Sequence, residues 1–159
     1  MNQGTQGQAR RGTGFAAATL PVSAHTVIAT GDAGLSTGWH DIAVDGQVMS
    51  VYCAQPENMT SLPVLLVISE IFGVHEHIAD VARRFAKQGY LAIAPDLFVR
   101  QGDPTTVPDI PSLMKGIIAR TPDAQVMADL DACVAWAGSS GGDIDRLSIT
   151  GWCWGGRIA

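Results

Sequence analysis

The run Gly151-Trp152-Cys153-Trp154-Gly155-Gly156 directly follows the apolar stretch Leu147-Ser148-Ile149-Thr150. Gly-x-Cys-x-Gly-Gly after an apolar strand has the form of a nucleophile elbow, a sharp strand-to-helix turn that lifts one reactive side chain above a sheet. Glycines at 151 and 155 suit such a turn. The nucleophile sits at strained backbone angles, and a side chain two positions to either side would collide with neighbouring backbone. A helix starting just after Cys153 would point its positive end at the sulfur and favour thiolate. The chemistry this permits is nucleophilic attack by Cys153. The competing uses of such a turn are a phosphate loop and a plain packing turn. No Lys-Ser/Thr follows the glycines, which run instead into Arg157, so the nucleophile reading is preferred.

An elbow needs a sheet beneath it. From Asp41 to Ala54, Ile42 and Val44, then Val48, Val51 and Tyr52, predict a hairpin turning near Asp45-Gly46. Val64 to Ile68 is an unbroken aliphatic run, as expected of a strand buried on both faces of a parallel sheet. Ile78, Val81, Ala82, Phe85 and Ala86 recur at helical spacing, with Asp80, Arg83, Arg84 and Lys87 on the other face and Gly89 as the stop. Tyr90 to Ala94, closed by Pro95, supplies a second buried strand, and strand, helix and strand form a βαβ unit. Pro104, Pro108 and Pro111 mark an excursion between Phe98 and Thr121, with one short helix around Leu113 to Ala119. Asp123 is expected to cap a further helix with an apolar stripe of Val126, Met127, Leu130, Cys133, Val134 and Ala137. Ser139 to Asp145 turns the chain, and Arg146 to Thr150 is the third parallel strand, carrying Cys153 at its carboxyl end. The fold class is α/β.

With 159 residues, 47% hydrophobic and 16% charged, the chain has the size and composition of one globular domain. Its net charge of -5 gives no electrostatic footprint for nucleic acid or anionic lipid, so a small molecule is the expected partner. The odd cysteine count, Cys53, Cys133 and Cys153, argues against a disulfide framework. No Cys-x-x-Cys pair suggests zinc, and neither metal nor cofactor is expected. No apolar stretch approaches the ~20 residues that span a bilayer. Residues 1–24 read as a flexible leader or a degenerate export signal: Arg10-Arg11 precede the apolar run Phe15 to Leu20 and the cleavage-like Val22-Ser23-Ala24. The expected location is cytoplasmic, or periplasmic if that segment directs export.

Three ordered motifs carry a resemblance: Ser69-Glu70-Ile71-Phe72-Gly73-Val74, Gly89-Tyr90-Leu91-Ala92-Ile93-Ala94-Pro95-Asp96-Leu97-Phe98, and Gly151-Trp152-Cys153-Trp154-Gly155-Gly156. Together they resemble the dienelactone hydrolase family of α/β-hydrolases, over about residues 41 to 159. The resemblance implies cleavage of a lactone or carboxylic ester by a Cys nucleophile. It assigns Cys153 as that nucleophile and Glu70 as the carboxylate that takes the thiol proton when substrate binds. It also assigns the backbone N–H groups of Ile71 and Trp154 to the oxyanion hole, which stabilises the tetrahedral intermediate. A Glu70 anion near the sulfur would keep the resting thiol protonated.

The acid and histidine of such a triad follow the elbow in chain order, whereas His25, His40, His75 and His77 all precede it. A His75 or His77 substitute for the triad histidine is disfavoured on that ground. Residues 25–159 therefore read as an incomplete α/β-hydrolase domain, a fragment with low or no activity by itself. Arg100 and Arg120 are available for a substrate carboxylate, but neither aligns securely with the family's positions. The elbow strand would have an open side, an edge available for self-association. A non-catalytic remnant or interaction module is the alternative function. A thiol-redox role lacks a resolving cysteine near Cys153.

Overall fold

Asp45 and Gly46 both take positive φ, 51° and 76°, as a two-residue hairpin turn demands. The turn joins β1 (Leu35–Val44) to β2 (Gln47–Pro56) as an antiparallel pair with Val44 opposite Gln47. A computed structural model describes residues 28–159; the leader or export-signal reading of residues 1–24, and His25, lie outside them. The hairpin turns where the sequence predicts, but β1 begins at Leu35 rather than near Asp41. Leu35 to His40 has no apolar alternation to announce a strand; main-chain pairing with β2 organises it.

The remaining elements follow the predicted order. They are β3 (Leu62–Ile68), α1 (Glu76–Lys87), β4 (Leu91–Pro95), α2 (Ile110–Gly116), α3 (Asp123–Ser139), β5 (Gly142–Gly151) and α4 (Trp154–Ile158). Short 3-10 turns at Pro104–Thr106 and Ile118–Arg120 flank α2. The five-stranded sheet runs β1-β2-β4-β3-β5. β3 is parallel to both β4 and β5, and the hairpin joins antiparallel through β2 and β4. The architecture is α/β, with β5 at the sheet edge among the described residues.

Alternation along the strands divides the core into two layers. Met49, Val51, Cys53, Val64, Leu66, Ile68, Leu91 and Ile93 pack with Val126, Leu130 and Cys133 of α3. Tyr52, Ala54, Leu65, Val67, Ala92 and Ala94 pack with Ile78, Ala79, Ala82 and Ala86 of α1. Alanines on both the sheet and helix sides of this second layer admit the α1 backbone closely. Gly89, at φ 94°, stops α1 as its sequence position predicts.

Two features of α3 differ from expectation. Pro122 occupies the N-cap and Asp123 is the first helical residue, without a capping hydrogen bond. The Asp123 carboxylate is taken instead by Arg157, at 2.7 and 3.0 Å. Met127, expected in the apolar stripe, is exposed, whereas Val126, Leu130, Cys133 and Ala137 are buried. β5 also begins earlier than predicted, at Gly142, where an added Cβ would lie 2.7 Å from Val64 Cγ2.

Replacing Ile93, fully buried in the first of these layers, by Ala should cost about 2–5 kcal/mol in urea unfolding through lost burial and the cavity left behind. Val48→Ala, at a position 57% exposed, should stay within about 0.5 kcal/mol of the parent.

Candidate active site

Ile68, the last residue of β3, stands in register with Gly151, the last residue of β5. Glu70 and Cys153 therefore lie equally far beyond the carboxyl ends of two adjacent parallel strands, which run about 4.8 Å apart. Cys153 has φ 53° and ψ -114° and is the N-cap of α4. Positive φ at a non-glycine residue is uncommon, and here it falls on the one residue that the sequence singles out as a nucleophile.

The glycines hold that conformation. An added Cβ on Gly155 would lie 2.5 Å from the carbonyl oxygens of both Ile68 and Ser69, and one on Gly151 would collide with the Gly155 carbonyl. The first turn of α4 is thus laid directly on the main chain that leads from β3 to Glu70. Two side chains anchor α4 from the other side. Trp154 is buried against Phe98, ring centroids 4.8 Å apart, and Arg157 pairs with Asp123 of α3. The three motifs read from the sequence meet at this point.

Cys153 is exposed, while Cys53 and Cys133 are buried, and all are free thiols. Burial, with a smaller contribution from Asp129, pushes the Cys133 thiol up to about 12. Burial and then the neighbouring Cys133 push Cys53 up as well. Both are inert thiols in the core, which leaves Cys153 as the accessible thiol among the described residues.

The Glu70 carboxylate, 23% exposed, is hydrogen-bonded to His75 Nε2 at 3.1 Å. Burial pushes this carboxyl up, but the His75 hydrogen bond and then its own backbone amide outweigh it and hold the group below its ordinary value. Sequence reading missed this pair, because contact between residues five apart across a loop has no periodic signature. The nearby Asp96, just beyond β4, is pushed up by burial; the Phe98 N–H lowers it only in part, and Asp103 raises it further. Ile71 and Trp154 are both buried.

Other candidates lie elsewhere or are engaged. Arg100 binds Asp129, a fully buried carboxylate of α3, and Arg120 is exposed. His40 packs against Trp136, ring centroids 5.1 Å apart. Of the basic cluster, Arg83 binds Glu76, Tyr52 and the Thr30 carbonyl, and Arg84 binds Asp80. A cleft of about 530 Å³ is lined by Val81, Arg84, Phe85 and Trp152, with neither Glu70 nor Cys153 in its walls. No cluster of potential metal ligands occurs among the described residues. No helix there is long and apolar enough to cross a membrane.

Residues 49–159 match the model of the dienelactone hydrolase family. The chain is 51% identical over 147 residues to a protein of Escherichia coli (strain K12) named "Putative carboxymethylenebutenolidase", with 92% of this chain and 54% of that protein aligned. It is 33% identical over 128 residues to the "Probable 2-oxo-3-(5-oxofuran-2-ylidene)propanoate lactonase" of a Bradyrhizobium species, covering 79% of this chain and 50% of that one. Its structure is similar to that titled "Putative Dienelactone Hydrolase" from Klebsiella pneumoniae, with a TM-score of 0.76 and 54% identity over 78% of this chain and 52% of the other. The chain spans about half the length of the curated relatives that it matches.

Gly155→Ala should destabilise the chain by about 1–3 kcal/mol, since two main-chain carbonyls would have to move. Gly38→Ala, with open space around its Cβ, should not. The depressed carboxyl of Glu70 contributes stability above its ordinary value of 4.5, lost as pH falls through the lower folded value. The stability gap between the parent chain and Glu70→Gln in urea titrations should therefore shrink as pH drops from about 6 to about 3.

Proposed function

The chain belongs to the dienelactone hydrolase family, and from that premise we propose that it carries the nucleophile half of a Cys-dependent lactone or carboxylic ester hydrolase. The observation that carries this reading is Cys153 itself: an exposed thiol at positive φ, at the carboxyl end of a parallel strand and beside the strand that leads to Glu70. The names of two relatives, a carboxymethylenebutenolidase and a lactonase, favour a lactone over an open-chain ester.

In the proposed reaction the thiol proton passes from Sγ to a Glu70 oxygen, leaving a thiolate and a neutral carboxyl. The sulfur attacks the carbonyl carbon and forms a tetrahedral oxyanion beside the N–H groups of Ile71 and Trp154. Trp154 opens α4, so its N–H has no acceptor within the helix and is available to such an oxygen. Collapse of the intermediate breaks the ring C–O bond, the departing oxygen takes the proton held by Glu70, and water then hydrolyses the thioester. Water activation falls to a histidine and acid beyond the elbow in chain order. The chain spans about half the length of the curated relative that it matches, and full turnover on this reading needs that histidine and acid.

A second reading rests on β5. Ile144, Leu147 and Ile149 are 49%, 43% and 38% exposed on the sheet's edge strand, an apolar edge suited to pairing. On this reading the chain is a non-catalytic module that self-associates or pairs through β5.

The test is hydrolysis of an activated aryl ester and a lactone by this chain and by a version extended through its downstream reading frame. Activity should appear on extension and fall about 10⁴-fold or more in Cys153→Ala. An inert extended protein would favour the module. Glu70→Gln should raise the rate of Cys153 alkylation at neutral pH, because removing an anion beside the sulfur favours thiolate; an unchanged rate would remove Glu70 from the mechanism.

A further inference from the structure

We propose that His75 is the positioning residue of this site, gripping the Glu70 carboxylate so that it stays ionised and parked until substrate draws it to the thiol. This rests on the roles given above to Cys153 and Glu70. His75 occupies the N-cap of α1 yet makes no side-chain cap, although that position rewards a side chain that bonds to the helix amides. Its imidazole goes to Glu70 instead, with Nε2 3.1 Å from Oε2 and the side chain only 8% exposed.

The opposite nitrogen fixes the direction of the bond. Nδ1 of His75 is buried without a hydrogen-bond partner. An unpaired buried lone pair is tolerated more readily than an unpaired buried N–H. The proton therefore sits on Nε2 and is donated to Glu70. A donor to the charged form stabilises the anion, so Glu70 is a weak acceptor of the thiol proton while the bond lasts. Once the bond is released the carboxylate becomes the stronger base. His75 thus sets both the resting place and the basicity of the group that activates Cys153.

The neighbouring titratable groups are few. His77 lies near-parallel to His75, centroids 6.2 Å apart and planes 17° from parallel. Glu76 is held by Arg83. Asp96 approaches from the end of β4, its Oδ1 4.0 Å from where a Cβ on Gly73 would stand. Cys153 follows the end of β5, two residues beyond Gly151.

The experiment uses the 159-residue chain with Glu70 followed by carboxyl ¹³C titration and Cys153 by the pH profile of its iodoacetamide alkylation. His75→Ala should raise the Glu70 titration midpoint by about one pH unit and shift the acid inflection of the alkylation profile equally. His75→Gln, which restores a neutral donor near the Nε2 position, should return both towards the parent values. A purely structural histidine would leave both midpoints in place, and that result in folded His75→Ala overturns the proposal. In the unsubstituted protein, imidazole ¹⁵N shifts should show a protonated Nε2 and a bare Nδ1; a protonated Nδ1 with bare Nε2 also overturns it. If Glu70 titration follows His75 while Glu70→Gln leaves alkylation unchanged, Glu70 falls out of the mechanism and takes the positioning role with it. If Glu70→Gln alters alkylation but His75→Ala moves neither midpoint, only the His75 proposal falls.

Discussion

The close approach of Gly155 to the carbonyls of Ile68 and Ser69 is the contact on which the geometry of this rim depends. A β-carbon there would lever α4 away from the end of β3 and with it move Cys153, Trp154 and the segment leading into Glu70. Because β3 and β5 are parallel and in register at Ile68 and Gly151, the contact joins two loops that leave the sheet side by side. The positive φ of Cys153 follows from the same constraint. The chain must reverse from strand to helix within two residues of a neighbouring main chain, and the strain is held by the packing beneath it.

That packing is shared among motifs far apart in the sequence. Phe98, which ends the segment after β4, supplies the surface on which Trp154 rests. Asp123, at the start of α3, holds Arg157 from α4. A five-residue helix is too short to be stable alone, so its position comes from these partners rather than from helix propensity. The exposed Arg157–Asp123 pair contributes little energy by itself; with the Trp154 contact it fixes the orientation of α4. The site is accordingly no more rigid than the βαβ core and the start of α3 that support it.

Much of this was legible in the sequence because the physics is local or periodic. Asp45-Gly46 announces its turn through a backbone preference, the Val64–Ile68 run reports burial on both faces, and the spacing from Ile78 to Ala86 reports one helix face. Gly151 and Gly155 signalled close backbone approach before any partner was known. What could not be read depends on tertiary neighbours. Leu35 to His40 becomes a strand because β2 pairs with it, Asp123 leaves its capping role for Arg157, and Met127 faces solvent where periodicity placed it inward. The Glu70–His75 bond belongs to this second group, since it depends on how one loop folds back on itself.

Glu70 and Asp96 illustrate why that loop matters more than its lack of regular structure suggests. Burial alone would push Glu70 towards its neutral form. The imidazole of His75 reverses that tendency, so a partly buried acid remains an anion. The opposite outcome stands at the end of β4, where Asp96 accepts from the Phe98 N–H but has Asp103 nearby, and burial prevails. Two carboxylates thus leave adjacent strands of one sheet with their basicities displaced in opposite directions, by neighbours rather than by the strands. The sheet supplies the common rim, and the loop residues set the direction in which each carboxyl is displaced.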